Sequence, residues 1–388
     1  MKERSTYKTV AFCWVCLFVA FLVLVASSSA DTMRVYVGTY NDSNSQGIYR
    51  FDLNLAGGQV TDPVLAAKAT NAGFLEIHPS GNFLYATGQA GLHEGDKGRT
   101  ATAYAIKNSG DLKPINTQPT KGVAACHLTV GPRGKNVLVA SYDGGTTSVL
   151  PIRRDGGLAT VSDVAKHTDA GSQVNARRQG APHPHSVNVD RTGRFAFVAD
   201  LGIDKVKIFR LDADAGTLTP NSVPHVQLEP GGGPRHFHMH PSEKFAYSNN
   251  ELTNTVAALT FDPTTGALEQ IQSITTLPDS FSGTNTTAEV RVHPSGDFLY
   301  VSNRGHESLA IFQIDPSTGR LSPAGHTAVN GVQPRNFCID PTGSYLIVAN
   351  QETENVVVFR VNKTTGALDP TGQELQIPRP VCIRYRPL

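Results

Sequence analysis

Six charged or hydrogen-bonding residues stand at matching points of a repeating sequence. His185, Arg235 and Arg335 each lie five residues before a polar turn, and Glu251, Arg304 and Gln351 each follow the apolar stretch after such a turn. His127 and His236 come one place after the first of these columns, and Tyr142 comes one place before the second. An imidazole beside guanidiniums and a carboxylate can take a proton from water, hold charge that develops on an oxygen, and return the proton to a leaving group. Three cations brought together repel unless an anion lies between them. Arg235, Arg304 and Arg335 therefore read as an anion-binding set.

The elements that must carry these residues are legible from the repeat itself. A Gly-x-hydrophobe turn recurs seven times, from Gly58-Gln-Val to Gly366-Ala-Leu, with gaps of 52, 46, 60, 50, 53 and 47 residues. A second turn recurs out of phase at His78-Pro-Ser-Gly, Gly131-Pro-Arg-Gly, Asp190-Arg-Thr-Gly, His240-Pro-Ser-Glu, His293-Pro-Ser-Gly and Asp340-Pro-Thr-Gly. Short β-branched and aromatic runs follow these turns, such as Phe298-Leu-Tyr-Val and Val356-Val-Val-Phe. Runs of this length bounded by Gly and Pro are strands. About four strands in each of seven units predict an all-β, seven-bladed β-propeller with four-stranded blades. Met33-Arg-Val-Tyr-Val and Gly47-Ile-Tyr-Arg match a unit that lacks its first strand, and Val381-Cys-Ile-Arg-Tyr supplies that strand. The two termini are thus expected to pair and close the ring.

The 388 residues carry 34 basic and 33 acidic side chains, which offers no electrostatic case for nucleic acid. Lys2, Arg4 and Lys8 precede an apolar run from Val10 to Ala26 and the small residues Ser27 to Ala30. This pattern predicts an export signal over 1–30, with an uncleaved membrane anchor as the alternative. One domain is expected over 31–388, exported to a periplasmic or extracellular space and monomeric. It retains Cys126, Cys338 and Cys382, too few for a disulfide framework, and no Trp, which argues against WD40 repeats.

Local motifs are weighed against plainer roles. His236-Phe-His238-Met-His240 suggests a metal cluster, yet His240 occupies the repeated turn position of His78 and His293. Cys126 reads as a small packed residue rather than a nucleophile. In Pro182-His183-Pro184-His185, only His185 falls in the column beside the channel. No Gly-x-Ser-x-Gly elbow accompanies these groups, so a serine acyl-enzyme is not expected.

Cys126-His-Leu, Ser141-Tyr-Asp-Gly-Gly, His183-Pro-His-Ser, Ala199-Asp-Leu-Gly, Gly233-Pro-Arg-His, Asn250-Glu-Leu, Ser302-Asn-Arg-Gly and Gln333-Pro-Arg follow one another along successive units of the repeat. At these motifs the chain resembles the lactonase family of seven-bladed propellers. That family includes the bacterial propeller-type 6-phosphogluconolactonase and the fungal carboxy-cis,cis-muconate cyclase. The resemblance implies hydrolysis of a sugar-derived, anionic lactone with no cofactor. It also places the family's catalytic His, Arg, Glu and second Arg on His185, Arg235, Glu251 and Arg304. Substrate contacts are expected from His127, Tyr142, His236, Arg335 and Gln351. Three alternatives accompany this reading: cycloisomerisation of a muconate-type diacid, hydrolysis assisted by a divalent cation on Glu251, Asn250, Asn303 and Asp200, and an exported propeller that binds a ligand or protein without chemistry.

Overall fold

The computed structural model describes Met1 and residues 32–88 and 100–387. The expected signal at 1–30 and Gln89, a member of the second column, lie outside the described residues. The described chain forms 28 strands and no helix. These make seven four-stranded sheets, the blades of a propeller. Blade 1 joins both ends of the chain: Pro380–Pro387 pairs with Thr32–Thr39 from Met33↔Pro387 to Thr39↔Pro380. Gly47–Asn54 and Val64–Lys68 complete it. The predicted closure is therefore present, and it leaves no open edge in the ring.

The first and second strands of the other blades carry the residues of interest. They are Leu75–Ile77 and Phe83–Gly88 in blade 2, Ala125–Val130 and Asn136–Ser141 in blade 3, and Pro184–Val189 and Phe195–Asp200 in blade 4. Blade 5 has Pro234–Met239 and Phe245–Asn250, blade 6 Thr286–Val292 and Phe298–Arg304, and blade 7 Pro334–Ile339 and Tyr345–Asn350.

Apolar faces pack between neighbouring blades. Phe298, Tyr300 and Ile311 of blade 6 meet Phe337, Leu346 and Val348 of blade 7, all essentially buried. A similar cluster joins blade 7 to blade 1 through Tyr345, Ile347, Val35 and Phe51. The two repeated turns staple the same interfaces. The Tyr300 hydroxyl donates to the Gly366 carbonyl of the next blade at 2.8 Å. Tyr36, Tyr85 and Tyr247 do the same to Gly110, Gly156 and Gly319 at 2.8–2.9 Å. His78, His240 and His293 span the other turn, with Nε2 at 2.9–3.0 Å from the carbonyls of Gly134, Gly296 and Gly343. Gly366 has no substitute: its φ is +73°, and a Cβ there would lie 2.5 Å from the Phe298 ring.

A second regularity concerns the channel. In six of the seven blades the pairing of first and second strands slips by a residue near the channel mouth. In blade 4, Pro184 pairs with Asp200 and Ser186 with Ala199, so His185 has no partner. Arg235, Arg335, Cys126 and Val381 are skipped in the same way. A bulge turns an extra side chain toward the face that ordinary alternation gives to the next residue. The channel thus gains an additional tier of side chains at one mouth, and the first sequence column is that tier.

These staples predict a measurable cost. Tyr300→Phe leaves the buried Gly366 carbonyl without its donor and should lower unfolding stability by about 1–3 kcal/mol. Urea unfolding checks this, and an unchanged midpoint would show that the tyrosine contributes only its ring.

Candidate active site

The extra tier, together with residues after the second strands, encloses a cavity of about 340 Å³. Cys126, Tyr142, Arg178, His185, Arg235, Glu251, Arg304 and Arg335 line it with Ala124. All four residues expected to be catalytic are here, as are Tyr142 and Arg335.

Glu251 is the centre of this group. Its side chain is 6% exposed, and Oε1 accepts from Arg178 Nη2 at 2.8 Å and lies 3.5 Å from Arg304 Nη2. Arg235 Nε lies 3.0 Å from Oε2, but its N–H is not aimed at the oxygen, so charge rather than a hydrogen bond holds that pair. Burial alone would raise this carboxyl. The surrounding guanidiniums, Arg304 first, then Arg235 and Arg178, outweigh it and hold the group well below the usual carboxylate range. Glu251 is therefore ionised at any working pH and serves as an anchor for guanidiniums rather than as a proton carrier.

Backbone carbonyls fix two of the arginines. Arg235 Nη1 donates to Ala288 O at 2.6 Å, and Arg304 Nη2 to Thr287 O at 2.9 Å. Burial lowers Arg304 to about 9, which still leaves it cationic at neutral pH. Arg335 has no carboxylate partner among the described residues. It donates to Tyr40 Oη at 3.3 Å and Gln351 Oε1 at 3.5 Å, and its guanidinium lies 5.4 Å from the centre of the Tyr40 ring. Gln351 thus reaches the site only through Arg335.

His185 stands among these cations as a neutral ring. Burial, and then Arg235, push its pKa well below the ordinary histidine value. The Cys126 sulfur lies 4.0 Å from its Nδ1. Cys126 is no nucleophile: burial pushes its thiol up to about 12, and Sγ donates toward the His185 carbonyl at 3.3 Å. Tyr142 stacks on His183, with ring centres 4.3 Å apart, which leaves His183 behind the cavity wall.

His127 and His236 occupy the next tier down. They line a much smaller space of about 30 Å³ with Glu76, Glu289, Arg291 and Arg384. His236 Nδ1 is 2.9 Å from Glu289 Oε1, and its Nε2 is 3.1 Å from Arg235 Nη1. Only the tautomer with its proton on Nδ1 satisfies both contacts. His236 therefore props Arg235 from below. His127 packs on Phe74 with ring centres 4.0 Å apart and accepts from Val187 N at 3.4 Å. Glu289 and Glu76 pair with Arg291 at 3.4 Å and Arg384 at 3.1 Å. The lower tier is thus charge-balanced, with two carboxylates against two guanidiniums. The upper cavity holds four guanidiniums against one carboxylate. With His185 neutral, that is a net charge of +3 facing a space the size of a small molecule.

The polar residues one place before the second column turn out to hold the hairpins. Asp200 accepts from the His183 and Gly202 amides and lies 2.6 Å from His167 Nδ1. His167 in turn meets Thr147 Oγ1 at 3.2 Å, a triad-like array that is fully buried and out of reach of any substrate. Asn250 donates to Thr255, Asn303 to Thr276 O and Asn350 to Val329 O. Each of these groups thus has a hydrogen-bond partner within the protein. His240 is held by Ser242 and Gly296, and His238 Nδ1 accepts from Val292 N at 3.4 Å, so the three-histidine motif is divided between separate roles.

Arg178 is the lining residue that column reasoning missed. It belongs to none of the strands and lies between blades 3 and 4, in the interval where the turn-to-turn gap reaches 60 residues. That excess length was the available signal.

The Lactonase, 7-bladed beta-propeller family model matches residues 34–385. A 6-phosphogluconolactonase of Bacillus subtilis is 37% identical over 355 residues, which covers 90% of this chain and 97% of that one. A second 6-phosphogluconolactonase, from Formosa agariphila, is 32% identical over 79% of this chain and 86% of its own. Among solved structures, the periplasmic gluconolactonase of Pseudomonas aeruginosa superposes with a TM-score of 0.85 at 30% identity, covering 92% of this chain and 99% of that chain. The propeller, its cationic mouth and these matches together make the chain a member of the seven-bladed β-propeller lactonases, a family of lactone-hydrolysing enzymes.

Proposed function

We propose that this lactonase opens the ring of an anionic sugar lactone, 6-phosphogluconolactone above all, at the cationic mouth of its channel. The observation that carries the reading is the uncompensated charge around Glu251, which an anionic substrate and an oxyanion would both relieve. The names of the Bacillus and Formosa relatives support the same substrate. A second reading, unphosphorylated gluconolactone handled outside the cytoplasm, draws support from the name of the Pseudomonas neighbour and from the export-like pattern of residues 1–30.

The chemistry follows from the neutral imidazole and the fixed cations. His185 takes a proton from water as the water oxygen attacks the lactone carbonyl. Negative charge moves to the carbonyl oxygen, where Arg235 and Arg304 meet it without having to reorganise, because backbone carbonyls already hold them. The ring C–O bond then breaks, His185 returns its proton to the departing oxygen, and the new acid ionises. Lactone and water become a hydroxy-carboxylate and a proton. Arg335 adds to the positive field that draws the anionic substrate in, Tyr142 bounds the cavity, and His236 keeps Arg235 in place from the tier below.

Proton release with glucono-lactone, 6-phosphoglucono-lactone and a muconolactone tests this. Turnover well above the spontaneous rate is expected on the sugar lactones. Arg235→Ala should lower kcat about 10²–10³-fold by removing an oxyanion donor, and His185→Ala should lower it about 10²–10⁴-fold. A flat trace on all three compounds would refute the reading, and turnover of the muconolactone alone would transfer it to the diacid branch.

The pH profile gives an independent check. His185 works in its neutral form, and its pKa in the fold lies below the usual histidine value. Activity should therefore stay level through neutrality and fall only as pH drops through that lowered pKa. The acidic limb of kcat/KM, which reports the free enzyme, should lie clearly below about 6.5. A limb at or above that value would mean that another group is the base.

A further inference from the structure

Three guanidiniums share Glu251, but they are not held alike. Arg235 and Arg304 are nearly buried, at 3% and 9% side-chain exposure, whereas Arg178 is 35% exposed. The two buried arginines each donate to a backbone carbonyl that cannot turn away. Arg178 has only side-chain partners: Nε and Nη2 lie 3.3 and 3.2 Å from Tyr142 Oη, and Nη2 lies 2.8 Å from Glu251 Oε1. Its Nη1 has no hydrogen-bond partner among the described residues.

The backbone beneath this side chain is, by contrast, firmly tied. Gln179, fully buried, donates to Leu201 O at 3.0 Å and to Asp204 Oδ1 at 2.6 Å, and its Oε1 accepts from Asn175 N at 3.1 Å. Asp204 also accepts from the amides of Gly231 and Gly233 at 2.7 and 2.8 Å, and Gly233 lies two residues before Arg235. The segment between blades 3 and 4 is thus locked to the same turn that presents Arg235. It delivers one guanidinium to the rim of the cavity, on a fixed base and with exchangeable contacts.

We propose that Arg178 is a specificity-determining residue that reads a phosphate group on the substrate, remote from the lactone carbonyl. The inference rests on the lactonase reading above and deepens it. A guanidinium fork matches a phosphate in two parallel hydrogen bonds. Nη1 is free to make one of them, and Nη2 makes the other by giving up Glu251 Oε1. Glu251 keeps Arg235 and Arg304 throughout, so the oxyanion donors stay in place while Arg178 changes partner. Selection of the phosphorylated lactone is therefore assigned to the inserted segment, and bond breaking to the strand bulges.

The test compares wild type with Arg178→Gln on 6-phosphogluconolactone and on unphosphorylated gluconolactone. The quantity read is the ratio of the two kcat/KM values on one preparation, which cancels any loss of folded protein. The ratio should fall at least fivefold, mainly through KM for the phosphorylated substrate. A smaller change overturns the proposal, including an equal loss on both substrates, which would mean that Arg178 acts only through Glu251. If wild type hydrolyses neither lactone, the lactonase reading fails by itself. The affinity ratio for 6-phosphogluconate over gluconate, measured by calorimetry on the same two proteins, then decides by the same fivefold criterion. Absence of any preference for the phosphorylated ligand in wild type also overturns it.

Discussion

A single buried carboxylate holds the functional end of this propeller together. Glu251 lies within 3.5 Å of guanidinium nitrogens from Arg178, Arg235 and Arg304, contributed by three different stretches of chain. Taking several like charges out of water is costly unless an opposite charge comes with them. One carboxylate offsets part of the repulsion and leaves the rest for a ligand. The tier below shows the contrast, since Glu76 and Glu289 there neutralise Arg384 and Arg291. The same channel thus carries a balanced layer, which is structural, and an unbalanced layer, which can do chemistry on an anion.

The unbalanced layer exists because the first strands bulge. Regular alternation would give the channel face to His127, Ser186, His236 and Asn336, and the skipped residue in front of each adds Cys126, His185, Arg235 and Arg335 above them. The ring supplies rigidity and the bulges supply a place for functional side chains. Pairing of the terminal strands in blade 1 keeps that geometry closed. The neutral state of His185 follows from the same arrangement, because burial among cations disfavours adding another positive charge.

Much of this was legible because repetition separates structural needs from functional ones. The Gly-x-hydrophobe turns recur since five of the seven glycines meet an aromatic ring of a neighbouring blade and four accept a tyrosine hydroxyl, a demand repeated around most of the ring. Positions that differ between blades, such as His185, Arg235 and Glu251, stood out against that background. The column logic failed where polarity serves the backbone: Asp200, Asn250, Asn303 and Asn350 share a position because each secures a hairpin end. It also could not separate His127 and His236 from the residues before them, because a bulge is a feature of strand pairing that a single strand's sequence does not display. Arg178 escaped because an insertion has no counterpart in the other units.

The central claim is that the lactone carbonyl is processed between Arg235, Arg304 and His185. A crystal structure with the hydrolysis product 6-phosphogluconate tests it most directly, since the product carboxylate marks where the carbonyl stood. The account predicts that carboxylate within hydrogen-bond distance of Arg235 and Arg304 and beside the His185 ring. A product bound at the opposite mouth of the channel, or with its carboxylate turned away from these three residues, would contradict it.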